Sequence, residues 1–250
     1  MPTAKVDRSL QDTLGWAVER MRSKGFVVRS KVSLTVDPKL AIMGYAQKEA
    51  GAHKIVISEW ALDSEMLGGL VLHELAHIYF TEKGAHSHNT EILEEVLEKM
   101  KTDEGLRGKE TEYLIDAFNH MQNILVDDIV FAAMEERELE NAMRFFNEWV
   151  SERPSGDPVL DAALLCRNAF AIASLKRRNL LEPDNEMNYR NKAFLSSLGE
   201  YATQEFDWVE SFLERARVDW SEKEYRESLS RYLDRILSVM RPVSKLDDLR

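Results

Sequence analysis

Between residues 7 and 24 apolar side chains return at Leu10, Leu14, Ala17 and Met21, which is the spacing of an amphipathic helix. Two runs with a different rhythm follow. Lys31-Val32-Ser33-Leu34-Thr35-Val36 alternates apolar and polar residues, as a half-buried strand does, and is stopped by Asp37-Pro38. His53-Lys54-Ile55-Val56-Ile57-Ser58 is entered from Gly51, ends near Trp60 and reads as a second strand. From Leu62 onward strand signals nearly vanish, and helical patterns cover residues 63–81, 90–101, 109–150, 157–181, 191–218 and 221–240. Pro154, Gly156, Pro158, Pro183 and Pro242 punctuate the last of these. Between Gly108 and Pro154 there is neither Gly nor Pro, so that stretch is one very long helix or two with a bend. The pattern predicts an α+β chain, predominantly helical: a small mixed core over residues 1–150 and an all-helical C-terminal part over 151–250.

Composition narrows the class. The 250 residues are enough to bury a sizeable core, and 44% hydrophobic with 31% charged residues is ordinary for a folded chain. Only six prolines and eleven glycines are present, which favours long helices over a turn-rich β fold. A net charge of −11 argues against nucleic acid as partner, because counterion release needs clustered Lys and Arg. The single cysteine, Cys166, lies in the apolar stretch Ala162-Ala163-Leu164-Leu165 and reads as a buried structural thiol. Polar residues follow Met1-Pro2-Thr3-Ala4-Lys5, and no apolar run approaches the ~18 residues of a membrane span. The expectation is a cytoplasmic protein that engages no membrane.

One helix carries chemistry. His73 and His77 are four residues apart, so on a helix they stand about 40° apart on one face, where they can grip one metal ion together. Glu74 points to the neighbouring face, where its carboxylate can act as general base rather than ligand. Leu70, Val71, Leu72, Leu75, Ala76, Ile78 and Tyr79 surround the three polar groups, and burying these unpaired would be costly. A second set lies after Lys109. Asp116, His120, Asn123 and Asp127 fall within about 60° of one another on a helix whose opposite face carries Leu114, Phe118, Met121, Leu125 and Ile129. Such a stripe suits a helix that backs a metal site, although a solvated face has the same composition.

Leu72-His73-Glu74-Leu75-Ala76-His77-Ile78-Tyr79 resembles the active-site helix of the zincin clan of HExxH metallopeptidases. Asn123-Ile124-Leu125-Val126-Asp127 is similar to the Asn-x-x-x-Asp segment of uncharacterised HExxH families, some associated with von Willebrand factor A domains, and to the Glu-x-x-x-Asp helix of gluzincins. The resemblance covers roughly residues 30–135 and implies a zincin-like core, a Zn2+ ion held by His73 and His77, Glu74 as general base, and a peptide or protein substrate. It implies Asp127 as third ligand, as in aspzincins, with His120 the alternative. The strict gluzincin arrangement would instead put Asn123 at the ligand position and Asp127 behind it. Other continuations fit less well. A metzincin would need Gly at Phe80 and His at Lys83, and the glutamates of residues 91–98, where a thermolysin-like ligand would fall, read as a charged exposed face.

The resemblance also implies that Lys54-Ile55-Val56-Ile57-Ser58 is the rim strand to which an extended peptide adds. His86 and His88 form a polar loop whose side chains read as helix-capping and solvent-facing or as substrate and oxyanion contacts, with Asn89 or Thr90 the helix cap beyond it. His53 reads as structural. A zinc peptidase is therefore expected, against a non-catalytic zincin-like metal-binding module or a zinc hydrolase of a non-peptide bond.

Overall fold

The computed structural model describes residues 3–241, with side chains from Ser9, so Pro242 lies outside the described residues. The chain is predominantly helical with one small sheet. Helix α1 (Thr3–Ser23) buries Leu10, Leu14, Ala17 and Met21, the four positions its periodicity selects. Strands β1 (Val32–Asp37), β2 (Gly44–Glu49) and β3 (Ala52–Ser58) follow, in the order β1-β3-β2. β3 lies in the middle, parallel to β1 and antiparallel to β2. Its Ile55, Val56 and Ile57 are buried.

β2 is absent from the sequence pattern, and the reason is physical. It contains Gly44, Gln47, Lys48 and Glu49 and buries neither face fully, so it shows no alternation. Pairing makes it a strand: the two-residue turn at Ala50 and Gly51, with φ of 44° and 85°, has the handedness that returns a chain antiparallel.

Helix α2 (Leu67–Glu82) packs on α1 and on the sheet, with Val71, Leu72, Leu75, Ala76 and Ile78 buried. Glycines permit two close approaches, of α2 to α1 at Gly68 and of β2 to β3 at Gly44. A Cβ on Gly68 would lie 3.1 Å from the Trp16 ring, and one on Gly44 would press on the Val56 carbonyl oxygen at 3.1 Å.

The remaining helices are α3 (Thr90–Glu104), α4 (Gly108–Ala133), α5 (Glu136–Trp149), α6 (Pro158–Lys176), α7 (Glu186–Leu198), α8 (Glu200–Glu214) and α9 (Glu222–Met240). The stretch without Gly or Pro is thus two helices. Arg20 Nε donates to the Ala133 carbonyl at 2.9 Å, and Glu138 takes the Glu135 amide at 2.7 Å, so one ladder ends and the next begins. The pattern over 191–218 is likewise two helices, parted at Gly199 with φ of 95°. The first of them starts earlier than expected because Asn185 caps it, accepting from the Asn188 amide.

The boundary expected at residue 150 is not where the chain divides. One compact unit comprises the residues up to His88 with Val126–Arg144; the other comprises Asn89–Leu125 with the residues from Phe145 onward. The first unit is built on α1, the sheet and α2. The second is built on α6, which packs against α7, α8 and α9. Asp157 caps α6 by accepting from the Val159 and Leu160 amides, with Pro158 in the first turn. By length and composition α6 is also long and apolar enough to cross a membrane, contrary to the reading that no run qualifies; its buried residues, including Ala169, Phe170 and Ile172, make it the core of this unit. Cys166 is buried on α6, and burial pushes its thiol up to about 12, in line with a structural role.

Candidate metal centre

The site begins with the pitch of α2. Four residues apart, His73 and His77 come to one side of the helix, and their Nε2 atoms face each other at 3.1 Å. Two imidazole nitrogens bound to one zinc ion at about 2.0–2.1 Å in tetrahedral geometry stand about 3.3 Å apart, so this pair fits a shared ion. Glu74, one residue on from His73, is turned inward and buried. The Ala46 amide of β2 donates to its carboxylate. Burial raises the Glu74 carboxyl, offset in part by the positive charge of His73 and by that amide.

Ala46 is positioned by register. Ser58 donates to the Met43 carbonyl at 2.9 Å, so residues 43, 45, 47 and 49 turn their main-chain groups toward β3. Gly44, Ala46 and Lys48 turn theirs to the open side. β2 is therefore the edge strand beside α2, since both edges of β3 are taken by its neighbours. This corrects the expectation that Lys54–Ser58 forms the rim: a strand paired on both sides has no main-chain groups left for a peptide.

Both histidines are held from behind. Asp127 Oδ1 lies 3.3 Å from His73 Nδ1, and the carboxylate is buried. His88 Nε2 lies 2.9 Å from His77 Nδ1, and the Ser87 hydroxyl lies 3.0 Å from His88 Nδ1. Burial, with the charge of His73 adding to it, lowers His88 to about 4, so its ring is neutral at pH 7.

Asp127 was expected as the third ligand, yet it meets the ring nitrogen on the side of His73 away from His77. That is the position of a carboxylate that orients a metal histidine. His120, the alternative, belongs to the second unit, where it stacks on Phe170 at 4.8 Å with its Nδ1 enclosed. Asp116 and Asn123 also fall in the second unit, Asp116 on an exposed turn of α4. Of the stripe, Asp127 is the residue seen paired with a histidine of α2. The glutamates of α3 lie on its exposed face, Glu95 pairing with Arg226 and Glu98 with Lys101. Among the described residues no group of three or more His, Cys, Asp or Glu side chains is arranged to hold one ion. The spacing of the two histidine nitrogens suits a shared zinc ion.

His88 is the residue whose place the pattern missed. Its signal was Gly84. After α2 the Ala85 amide donates to the Phe80 carbonyl and the Gly84 amide to Thr81, a reversal that requires the left-handed φ of 63° at Gly84. This returns the chain so that His88 comes back alongside His77.

No curated protein and no solved structure matches the chain. A family model matches residues 23–234, a span that takes in the sheet, α2, His88 and Asp127, and the chain belongs to that family, the family of unknown function DUF5781.

Proposed function

We propose that the chain is a zinc-dependent hydrolase of the zincin type that acts on peptide bonds. The observation that carries the reading is the convergence of His73 Nε2 and His77 Nε2 at 3.1 Å, beside a buried glutamate one residue from His73. When bound, zinc supplies an electrophile for the scissile carbonyl and makes water acidic enough to lose a proton near neutral pH. Glu74 takes that proton and returns it to the leaving amine; a carboxyl raised by burial is suited to both transfers. Asp127 holds His73 in orientation through Nδ1. An extended peptide adds to the open side of β2, where the main-chain groups of Gly44 and Lys48 and the carbonyl of Ala46 face outward next to α2, the Ala46 amide being taken by Glu74.

The test joins metal analysis to cleavage. Wild type is expected to bind one zinc per chain, His73→Ala and His77→Ala to lose it, and Glu74→Gln to keep it while cleavage of a peptide library disappears. Zinc held equally by all four proteins would refute the site. One other reading rests on the same histidine pair, a metal-binding module without catalysis. Zinc bound by wild type with no peptide cut would select it.

A further inference from the structure

The loop after α2 holds a histidine that the hydrolytic reading leaves unused. His88 is fixed from three directions. Its Nε2 lies 2.9 Å from His77 Nδ1, its Nδ1 lies 3.0 Å from the Ser87 hydroxyl, and its ring stacks on Phe80 with centroids 5.1 Å apart and planes 25° from parallel. Phe80 stands three residues after His77 on α2, nearly one turn on, so the same helix face carries the floor on which His88 lies. Ser87 is buried, and the Gly84 reversal fixes the path of the loop.

The protons along this line admit one consistent arrangement once His77 offers Nε2 to a metal. A neutral imidazole that gives one nitrogen to a metal carries its hydrogen on the other. His77 Nδ1–H then donates to His88 Nε2, and His88 Nδ1–H donates to the Ser87 oxygen. Each nitrogen on the path has a partner of the right kind. Asp127 does the same for His73, so the two histidines are held by partners of different chemistry, a carboxylate and a neutral imidazole.

We infer that His88 is a positioning residue for the metal centre, fixing the tautomer and ring orientation of His77 through its Nδ1. This rests on the reading of His73 and His77 as a metal pair, and the experiment separates the two. Zinc affinity is measured on the full chain by competition with a chromophoric chelator for wild type, His73→Ala, His88→Ala, His88→Gln and Ser87→Ala, with thermal melting of each metal-free protein alongside. Removing an outer partner of a metal histidine typically weakens binding about 10–100-fold. His88→Ala is expected to lose affinity in that range while still reaching one zinc per chain at saturation. His88→Gln, whose amide oxygen can accept from His77, is expected to recover part of the loss, and Ser87→Ala to lose a few-fold. These losses are expected without a matching fall in metal-free melting temperature, which a merely structural role would lower instead. Should His88→Ala not fold, the glutamine and Ser87 variants carry the same comparison. His88→Ala binding zinc within about twofold of wild type would overturn the inference, as would a loss as complete as that of His73→Ala, which would make His88 a ligand. No zinc in wild type, or equal zinc in His73→Ala, would instead overturn the metal pair itself.

Discussion

At the scale of single residues, the unusual property of this chain is that two carboxylates, Glu74 on α2 and Asp127 on α4, are enclosed. Glu74 and Asp127 are each nearly inaccessible, at 6% and 4% exposure. A buried carboxylate persists only with a partner; Glu74 has the Ala46 amide and Asp127 has His73. Asp127→Ala and Asp127→Asn therefore discriminate its role. If it orients His73, both variants should still saturate with one zinc, about 10–100-fold more weakly for alanine, with asparagine nearer to wild type because its carbonyl can still accept from Nδ1. Isothermal titration would show this, and an asparagine variant unable to bind zinc at all would return Asp127 to the ligand set. The positions of His73, Glu74 and His77 were legible in the sequence because the helix repeat alone places them. Which nitrogen of His73 meets Asp127 was not, because fifty-four residues separate the two and only packing orients an imidazole ring.

At the scale of elements, the turn after α2 carries most of the consequence. Gly84 has φ of 63°, and a Cβ built there meets nothing within 4 Å, so Gly84→Ala adds left-handed strain and no clash. The expected cost is about 1 kcal/mol by urea denaturation. Zinc affinity should fall with it, since the Gly84 reversal delivers His88. An alanine variant with unchanged stability and affinity would show that the turn does not depend on glycine. β2 shows how an element can be invisible locally and still be decisive. Its polar, half-exposed residues have no strand period, yet pairing with β3 gives it an open edge beside Glu74. α4 and α5 are the converse case: a continuous helical pattern is interrupted by Arg20, which takes the Ala133 carbonyl from another helix. Arg20→Ala should cost about 1 kcal/mol through this lost charge-assisted hydrogen bond, measured as a shift in denaturation midpoint.

At the scale of the whole molecule, titration divides by window. In the second unit, His120 is lowered to about 4 by burial, with the charge of Arg167 adding to it. The unfolded chain, with its histidine near 6.5, binds more protons between pH 6.5 and 4, so stability falls as pH drops through that window. His120→Phe keeps a ring against Phe170 and should flatten the pH 7 to 4.5 difference by about 1–2 kcal/mol; an unchanged slope would show that His120 does not stay neutral in the fold. Glu110 acts lower. Its two-pronged pair with Arg241, at 2.7 and 2.6 Å, holds the carboxyl down to about 2. The stability it adds is present above about pH 4.5 and is lost as pH falls toward 2. Glu110→Gln should thus destabilise the protein at pH 7 and matter little at pH 2, in urea titrations at the two values.

The sequence by itself determined the helical class, the buried face of α1, the two strands of alternating or continuous apolar character and the His73, Glu74, His77 triplet. Each of these is set by a repeat of two or 3.6 residues acting over a few turns. Only the tertiary structure decided that Asp127 meets His73 while His120 stacks on Phe170. It also decided that β2 is the edge strand and that His88 returns to His77. These outcomes depend on contacts between residues distant in the chain, and a local repeat carries no information about which distant partner will satisfy a buried polar group.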